Sequence, residues 1–238
     1  MTEQIFDPPQ IDDPSVTRPA GTRAVRPKDA GALILVRRDG ARPQVLMGRR
    51  NRGHSFMPDK WVFPGGRVDP GDARAPYATD LRPEVAAMLR ARTPEARARA
   101  VALAAVRETF EEAGLLLARP APARSAAGPW REFLAQGALP DLDALDLVAR
   151  AITPPALPKR FDARFFMADA ERLLTLERQP DCGELDEIAW VNLQEAMKLD
   201  LPNVTRFILQ ELEARLEAPD RNVPFVRAGR RALTVTHL

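Results

Sequence analysis

Residues 105 to 115 read Ala-Val-Arg-Glu-Thr-Phe-Glu-Glu-Ala-Gly-Leu, and the rest of the chain is best read outward from them. At about 100° per residue on a helix, Glu108, Glu111 and Glu112 fall at roughly 0°, −60° and +40°, so three carboxylates crowd one face. Leu103, Val106, Phe110 and Ala113 fall between about 140° and 220° on the same wheel, which predicts that the opposite face is buried. Like charges at i, i+3 and i+4 repel, and the negative end of the helix dipole adds to the repulsion. Arg107 can reach Glu111 at i+4, but one guanidinium does not neutralise three acids. A hard divalent cation, Mg²⁺ or Mn²⁺, does, and it leaves positions open for phosphate oxygens and water. A solvated acidic patch is the alternative reading of the same residues. Against it, Gly114 ends the helix directly after the acidic turn and so sets the cluster beside a loop.

Upstream, Thr93 reads as the N-cap of this helix, with Pro94 at its first position and Glu95 in the positive first turn. Residues 81 to 92 have the spacing of a short helix of their own. Before them lies a stretch dense in Pro, Gly and Asp, from Pro64-Gly65-Gly66 to the loop at 69 to 72, where a backbone can approach a ligand closely and lend it a carbonyl. Residues 31 to 38 and 44 to 50 predict a strand hairpin around the turn at 39 to 43. Downstream, 115 to 118 predicts a short strand and 129 to 136 a helix. Residues 145 to 152 form an apolar segment, 160 to 169 and 187 to 192 predict strands, and 193 to 199 and 202 to 216 predict helices. In the last of these, Phe207, Leu212 and Leu216 share a face, with Val204 and Ile208 nearby.

Arg107 to Leu115 resembles the second half of the Nudix box, G-x5-E-x7-R-E-U-x-E-E-x-G-U with U aliphatic, and Gly66 matches its opening glycine. Asp72 stands where the box has Glu, and Thr109 stands where it has an aliphatic residue. Arg107 lies 35 positions after Asp72, where the pattern places it eight after, so an insertion of 27 residues splits the box. VFPGG at 62 to 66, the split box and RFDARFF at 160 to 166 together resemble coenzyme A and acyl-coenzyme A diphosphatases with an interrupted box. The upstream coenzyme A signature expects Gly and Arg where this chain has Asp59 and Ser55.

The resemblance implies a Nudix-like α/β/α sandwich with a mixed sheet, a single α/β domain over 28–217. The insertion at 73–99 and a variable segment at 119–160 belong to it, an extended arm at 1–27 precedes it, and a tail at 218–238 follows. It also implies hydrolysis of a pyrophosphate bond in a small-molecule nucleotide, giving 3′,5′-ADP and a phosphopantetheine if the substrate is coenzyme A. NADH, ADP-ribose, a nucleoside triphosphate and a non-catalytic nucleotide-sensing module are the other readings. In the site it implies, Glu111 and Glu112 hold the metal, and Glu108 is a third ligand or the base that orients water. The Gly66 carbonyl completes the set, Arg107 holds the glutamates in place, and Asp72 caps its loop. Gly65, Gly66, Arg49 and Arg50 are assigned to substrate, with ordinary surface arginines the alternative for the last two. Glu184, Asp186 and Glu187 are candidates for a further acid at the metal site, with a solvated acidic turn the alternative. Trp61 and Phe56 are candidates for stacking on a purine, with core packing the alternative. His54 and His237 read as surface residues. The insertion is expected to form a lid or channel wall beside the site.

Composition narrows the remaining classes. With 238 residues, 45% hydrophobic and 29% charged, the chain is long enough for a sizeable core and is not a disordered polymer. Cys182 stands alone, so no internal disulfide and no cysteine-rich zinc site can form. Only Lys28, Lys60, Lys159 and Lys198 are lysines among 35 basic residues, yet the net charge is only +2 and basic residues alternate with acidic ones. Nucleic acid is therefore not expected as a partner. No apolar run suits a membrane helix, and the opening MTEQIFDPPQ lacks the pattern of a secretory signal, so a cytoplasmic protein is expected. A homodimer is left open.

Overall fold

The computed structural model describes residues 25–53, 57–90, 93–178, 185–228 and 233–238. Its centre is β1 (Lys28–Arg37), an apolar strand flanked on both sides. It turns back into β2 (Gln44–Arg50) as the predicted hairpin, with Val36 opposite Val45. Strands β3 (Trp61–Val62) and β4 (Gly65–Arg67) pair with β2 and β1 respectively, both antiparallel. A short strand, β5 (Ala118–Pro120), pairs with β6 (Ala138–Pro140) apart from the main sheet. β7 (Asp146–Ile152) is antiparallel to β8 (Phe161–Asp169), which runs parallel to β1. β9 (Leu185–Asn192) closes the other side of β2, and β10 (Pro224–Ala228) and β11 (Leu233–His237) extend the sheet beyond β7.

Alternation along β1 sorts the sheet into two faces. Leu33 and Leu35 join one buried cluster with α2 (Glu95–Ala113), while Ile34 and Val36 join a second with α5 (Asn203–Glu217). Helices on both faces of one mixed sheet make the three-layer α/β arrangement expected from sequence. The smaller helices are α1 (Pro83–Arg90), α3 (Arg131–Ala135) and α4 (Leu193–Ala196). Among the described residues no helix is long and apolar enough to cross a membrane.

α2 ends where the sequence predicted. Gly114 takes φ 68°, a left-handed conformation that favours glycine, and its N–H donates to the Phe110 carbonyl at 2.8 Å. Leu103, Val106, Phe110 and Ala113 are buried, but so is most of the helix, because the sheet covers one side and α1 and α3 cover much of the rest. Its alanines permit this: a Cβ on Gly31 of β1 would lie 2.3 Å from the Val101 carbonyl oxygen, so helix and strand touch backbone to backbone.

Several expectations need correction. Pro94, not Thr93, is the N-cap of α2, and no side chain caps it. The Thr93 hydroxyl instead accepts from Arg164 Nη2 at 3.0 Å. The strand expected at 115 to 118 begins at Ala118, since Leu115, Leu116 and Leu117 are core residues following the helix. In α5 the inward face is Ile208, Leu209 and Leu212 with Thr205; Phe207 and Leu216 flank it, and Val204 is exposed. The stretch 218–238 is not a tail outside the domain, because β10 and β11 lie within the sheet and Phe225 is buried. The insertion, expected as a lid, supplies core: Leu81, Val85 and Leu89 pack with the N-terminal half of α2. Residues 1–24 of the expected arm lie outside the described residues.

Candidate active site

The catalytic candidates meet where β4 runs beneath the last turns of α2. Gly66 lies directly under Glu108; a Cβ there would sit 2.3 Å from the carboxyl carbon and 2.5 Å from either oxygen. Only glycine lets the strand and this carboxylate come so close. One residue earlier, the Gly65 N–H donates to Glu112 Oε2 at 2.8 Å. Glu112 is almost wholly buried, whereas the Glu111 side chain keeps 37% of its surface.

The β1–β4 ladder decides which carbonyl faces this cluster. Leu33 N–H donates to the Pro64 carbonyl and Val68 N–H to the Asp29 carbonyl. Antiparallel alternation then makes Gly31 and Gly66 a hydrogen-bonded pair and turns the N–H and C=O of Gly65 away from β1. The Gly66 carbonyl is thus occupied by the ladder, and the outward carbonyl is that of Gly65.

Arg107 organises the acids. Its Nη1 donates to Glu108 Oε1 at 2.9 Å and to Glu111 Oε2 at 2.6 Å, so one nitrogen ties two carboxylates together. Its Nε and Nη2 donate to the two oxygens of Asp72 at 2.9 and 3.1 Å, and Nη2 also reaches the Arg67 carbonyl at 3.2 Å. Burial works against the guanidinium's charge, but the hydrogen bonds to Asp72 and the charges of Glu108, Asp72 and Glu111 outweigh it and hold its pKa above the ordinary value. Burial pushes the Glu111 carboxyl up to about 7; Arg107 pulls it down, and the neighbouring Glu108 and Asp72 push it up again.

Asp72, expected only to cap its loop, is fully buried and is the hub of the site. Besides Arg107 it accepts from the Asp69 N–H at 2.7 Å and from Trp130 Nε1 at 2.9 Å. Its spacing from Gly66 was the available signal. Nothing in the sequence pointed to Trp130.

Among the described residues, several other candidates are engaged elsewhere. Arg49 pairs with Glu187 at 3.4 Å, and alternation along β2 sets it with Val45 and Met47 on the α5 side of the sheet. Trp61 packs against that same α5 cluster. Arg50 follows a register shift in β2, and its N–H donates to the Lys60 carbonyl. Asp186 accepts from Asn51 Nδ2 at 2.8 Å. Glu184, His54 and Phe56 lie outside the described residues, and His237 sits on β11.

The donors suit a hard divalent cation in kind: three carboxylates and an outward carbonyl around a glycine that leaves room for nothing larger. Among the described residues, however, no three acidic, histidine or cysteine side chains already converge on one ion-sized point. Arg107 holds Glu108 and Glu111, and Gly65 holds Glu112, so a cation would have to draw the carboxylates inward from these bonds.

No protein-family model matches the chain. Nudix hydrolase 7 of Caenorhabditis elegans is 28% identical over 185 residues, covering 71% of this chain and 53% of that protein. Acyl-coenzyme A diphosphatase NUDT19 of Gallus gallus is 30% identical over 178 residues, covering 63% of this chain and 42% of that protein. The chain therefore spans about half the length of the curated relatives it matches. Among solved structures, a NUDIX hydrolase from Alicyclobacillus acidocaldarius superposes with a TM-score of 0.58 at 27% identity, covering 80% of this chain and 92% of that one.

Proposed function

We propose that this chain, which belongs to the Nudix hydrolase superfamily, hydrolyses the pyrophosphate bond of a nucleoside diphosphate derivative, with coenzyme A or an acyl-coenzyme A as substrate. The observation that carries the reading is the Asp72–Arg107–Glu108/Glu111 array fixed over Gly66. A buried guanidinium bracketed by three carboxylates is an arrangement that structure alone does not require, and it holds acids where positive charge is still wanted. The similarity to a protein described as an acyl-coenzyme A diphosphatase favours the coenzyme A class.

Glu111 and Glu112, with the Gly65 carbonyl, would hold Mg²⁺ or Mn²⁺. Such an ion screens the phosphoryl charge and lowers the pKa of water. The chain's own residues do the rest. Glu108, pinned between Arg107 and Gly66, orients the attacking water and takes its proton. The water oxygen forms a bond to phosphorus, the bridging P–O bond breaks, and the second phosphate leaves with the electron pair. Arg107 keeps Glu108 and Glu111 in register through the cycle.

The test is a panel of coenzyme A, acyl-coenzyme A, NADH, ADP-ribose and nucleoside triphosphates with Mg²⁺ and with Mn²⁺, products identified by mass. 3′,5′-ADP with a phosphopantetheine supports the coenzyme A reading, and AMP without it moves the substrate elsewhere in the superfamily. Binding without any product would favour a nucleotide-sensing module.

A further inference from the structure

Trp130 stands 58 residues from Asp72 in sequence, in the variable segment, yet its indole N–H donates to Asp72 Oδ1 at 2.9 Å in a buried site. The same oxygen accepts from Arg107 Nε, so the indole and the guanidinium share it. We propose that Trp130 is a positioning residue for the acid cluster: by occupying Asp72 it sets how far Arg107 is drawn from Glu108 and Glu111. The proposal rests on the hydrolase reading for its chemistry and on geometry for its mechanism.

Three observations support it. The Asp72 carboxylate takes four donors, two from Arg107 and one each from Trp130 and Asp69, in a site with no solvent exposure. Losing one donor there cannot be made good by bulk water, so the freed oxygen pulls on what remains, and that is Arg107. The turn that carries Trp130 is seated on the Asp69–Asp72 loop, where a Cβ on Gly71 would lie 3.2 Å from Pro129. Trp130 also meets Phe133 edge-on at 5.1 Å, and Phe133 meets Phe110 of α2 edge-on at 5.4 Å. Phe133 thus links the indole to α2 by packing, while the indole N–H faces Asp72.

Trp130→Phe keeps an aromatic ring, smaller than the indole, and removes the N–H; Phe133→Leu disturbs the same packing and keeps the N–H. In the full chain, Mn²⁺ affinity is measured by electron paramagnetic resonance without substrate, and kcat and KM with the substrate the panel identifies. The expected result for Trp130→Phe is several-fold weaker Mn²⁺ binding and a kcat about tenfold lower, with KM within about twofold. Phe133→Leu, which keeps the N–H, should lower the melting temperature and reduce Mn²⁺ affinity and kcat per folded molecule clearly less than Trp130→Phe does. Mn²⁺ affinity unchanged in Trp130→Phe, or equal losses in both variants, overturns the proposal, as does a wild-type chain that binds no Mn²⁺. A wild-type chain that binds Mn²⁺ but cleaves no diphosphate sinks the hydrolase reading alone, and the Mn²⁺ comparison still decides Trp130. Should Trp130→Phe not fold, the indole N–H resonance of the wild-type residue is followed as Mg²⁺ is added. Movement supports the link and a stationary resonance overturns it.

Discussion

Gly66 and Glu108 are in contact so close that the space for a methyl group on one is filled by the carboxylate of the other. The obstructing atoms are the far end of a flexible side chain, which can swing away. Gly66→Ala should therefore fold nearly as well as wild type while displacing Glu108. Turnover should fall roughly a hundredfold. Steady-state kinetics beside a thermal melt checks this, and a large melting loss with activity per folded molecule retained would contradict it.

Glu111 and Glu112 should separate on mutation. Glu111 is the more exposed and sits against like charges, so Glu111→Gln should lower kcat by orders of magnitude without loss of melting temperature. Glu112 is buried and accepts from Gly65, and an amide nitrogen would replace one of its oxygens where solvent hardly reaches. Glu112→Gln should lose activity and about 1–2 kcal/mol of stability. Calorimetry on both variants distinguishes the two outcomes.

Phe110→Ala removes a buried ring and its edge-on contact with Phe133. The expected loss is roughly 3–5 kcal/mol, read by denaturant unfolding. An unchanged midpoint would mean that this face of α2 is not core.

Acid should weaken the fold through Asp29. Burial raises its pKa, but hydrogen bonds from Arg97 and Arg164 outweigh that and hold the carboxyl below the usual carboxylate range. A depressed folded-state pKa gives stability that is present above the unfolded value near 3.8 and lost as pH falls through the lower folded value. Asp29→Asn should therefore flatten the pH dependence of stability below about pH 4, measured by unfolding at stepped pH. A slope identical to wild type would show that Asp29 carries none of it.

Truncation after Glu217 should destabilise the whole domain rather than trim it. β10 pairs with β7, Phe225 is buried, and Arg150 lies 4.7 Å over its ring. A lower melting temperature is expected, and a truncated chain that melts like the full one would refute it.

What the sequence made legible was local. The β1–β2 hairpin and the end of α2 follow from alternation, periodicity and a glycine in the right place, all within a few residues. Thr93 misled because proline after it made an attractive cap, while the hydroxyl was taken by Arg164 on another strand. β10 and β11 went unread because short strands after a polar, proline-containing stretch carry little pattern until β7 offers an edge. In the site, the helical wheel put the three glutamates on one face, but it could not say that Arg107 would bind two and Gly65 the third. Arg49 was drawn toward the site by its position at a strand end, and the parity of β2 sends it to the other face.

Because Asp72 and Arg107 grip one another directly, 35 positions apart in sequence, the acids are held by a contact and not by chain continuity. The two halves behave as jaws closed by a clasp. What hangs from the hinge is free to take on a second task, as Leu81, Val85 and Leu89 do by packing with α2, provided that its ends still come home.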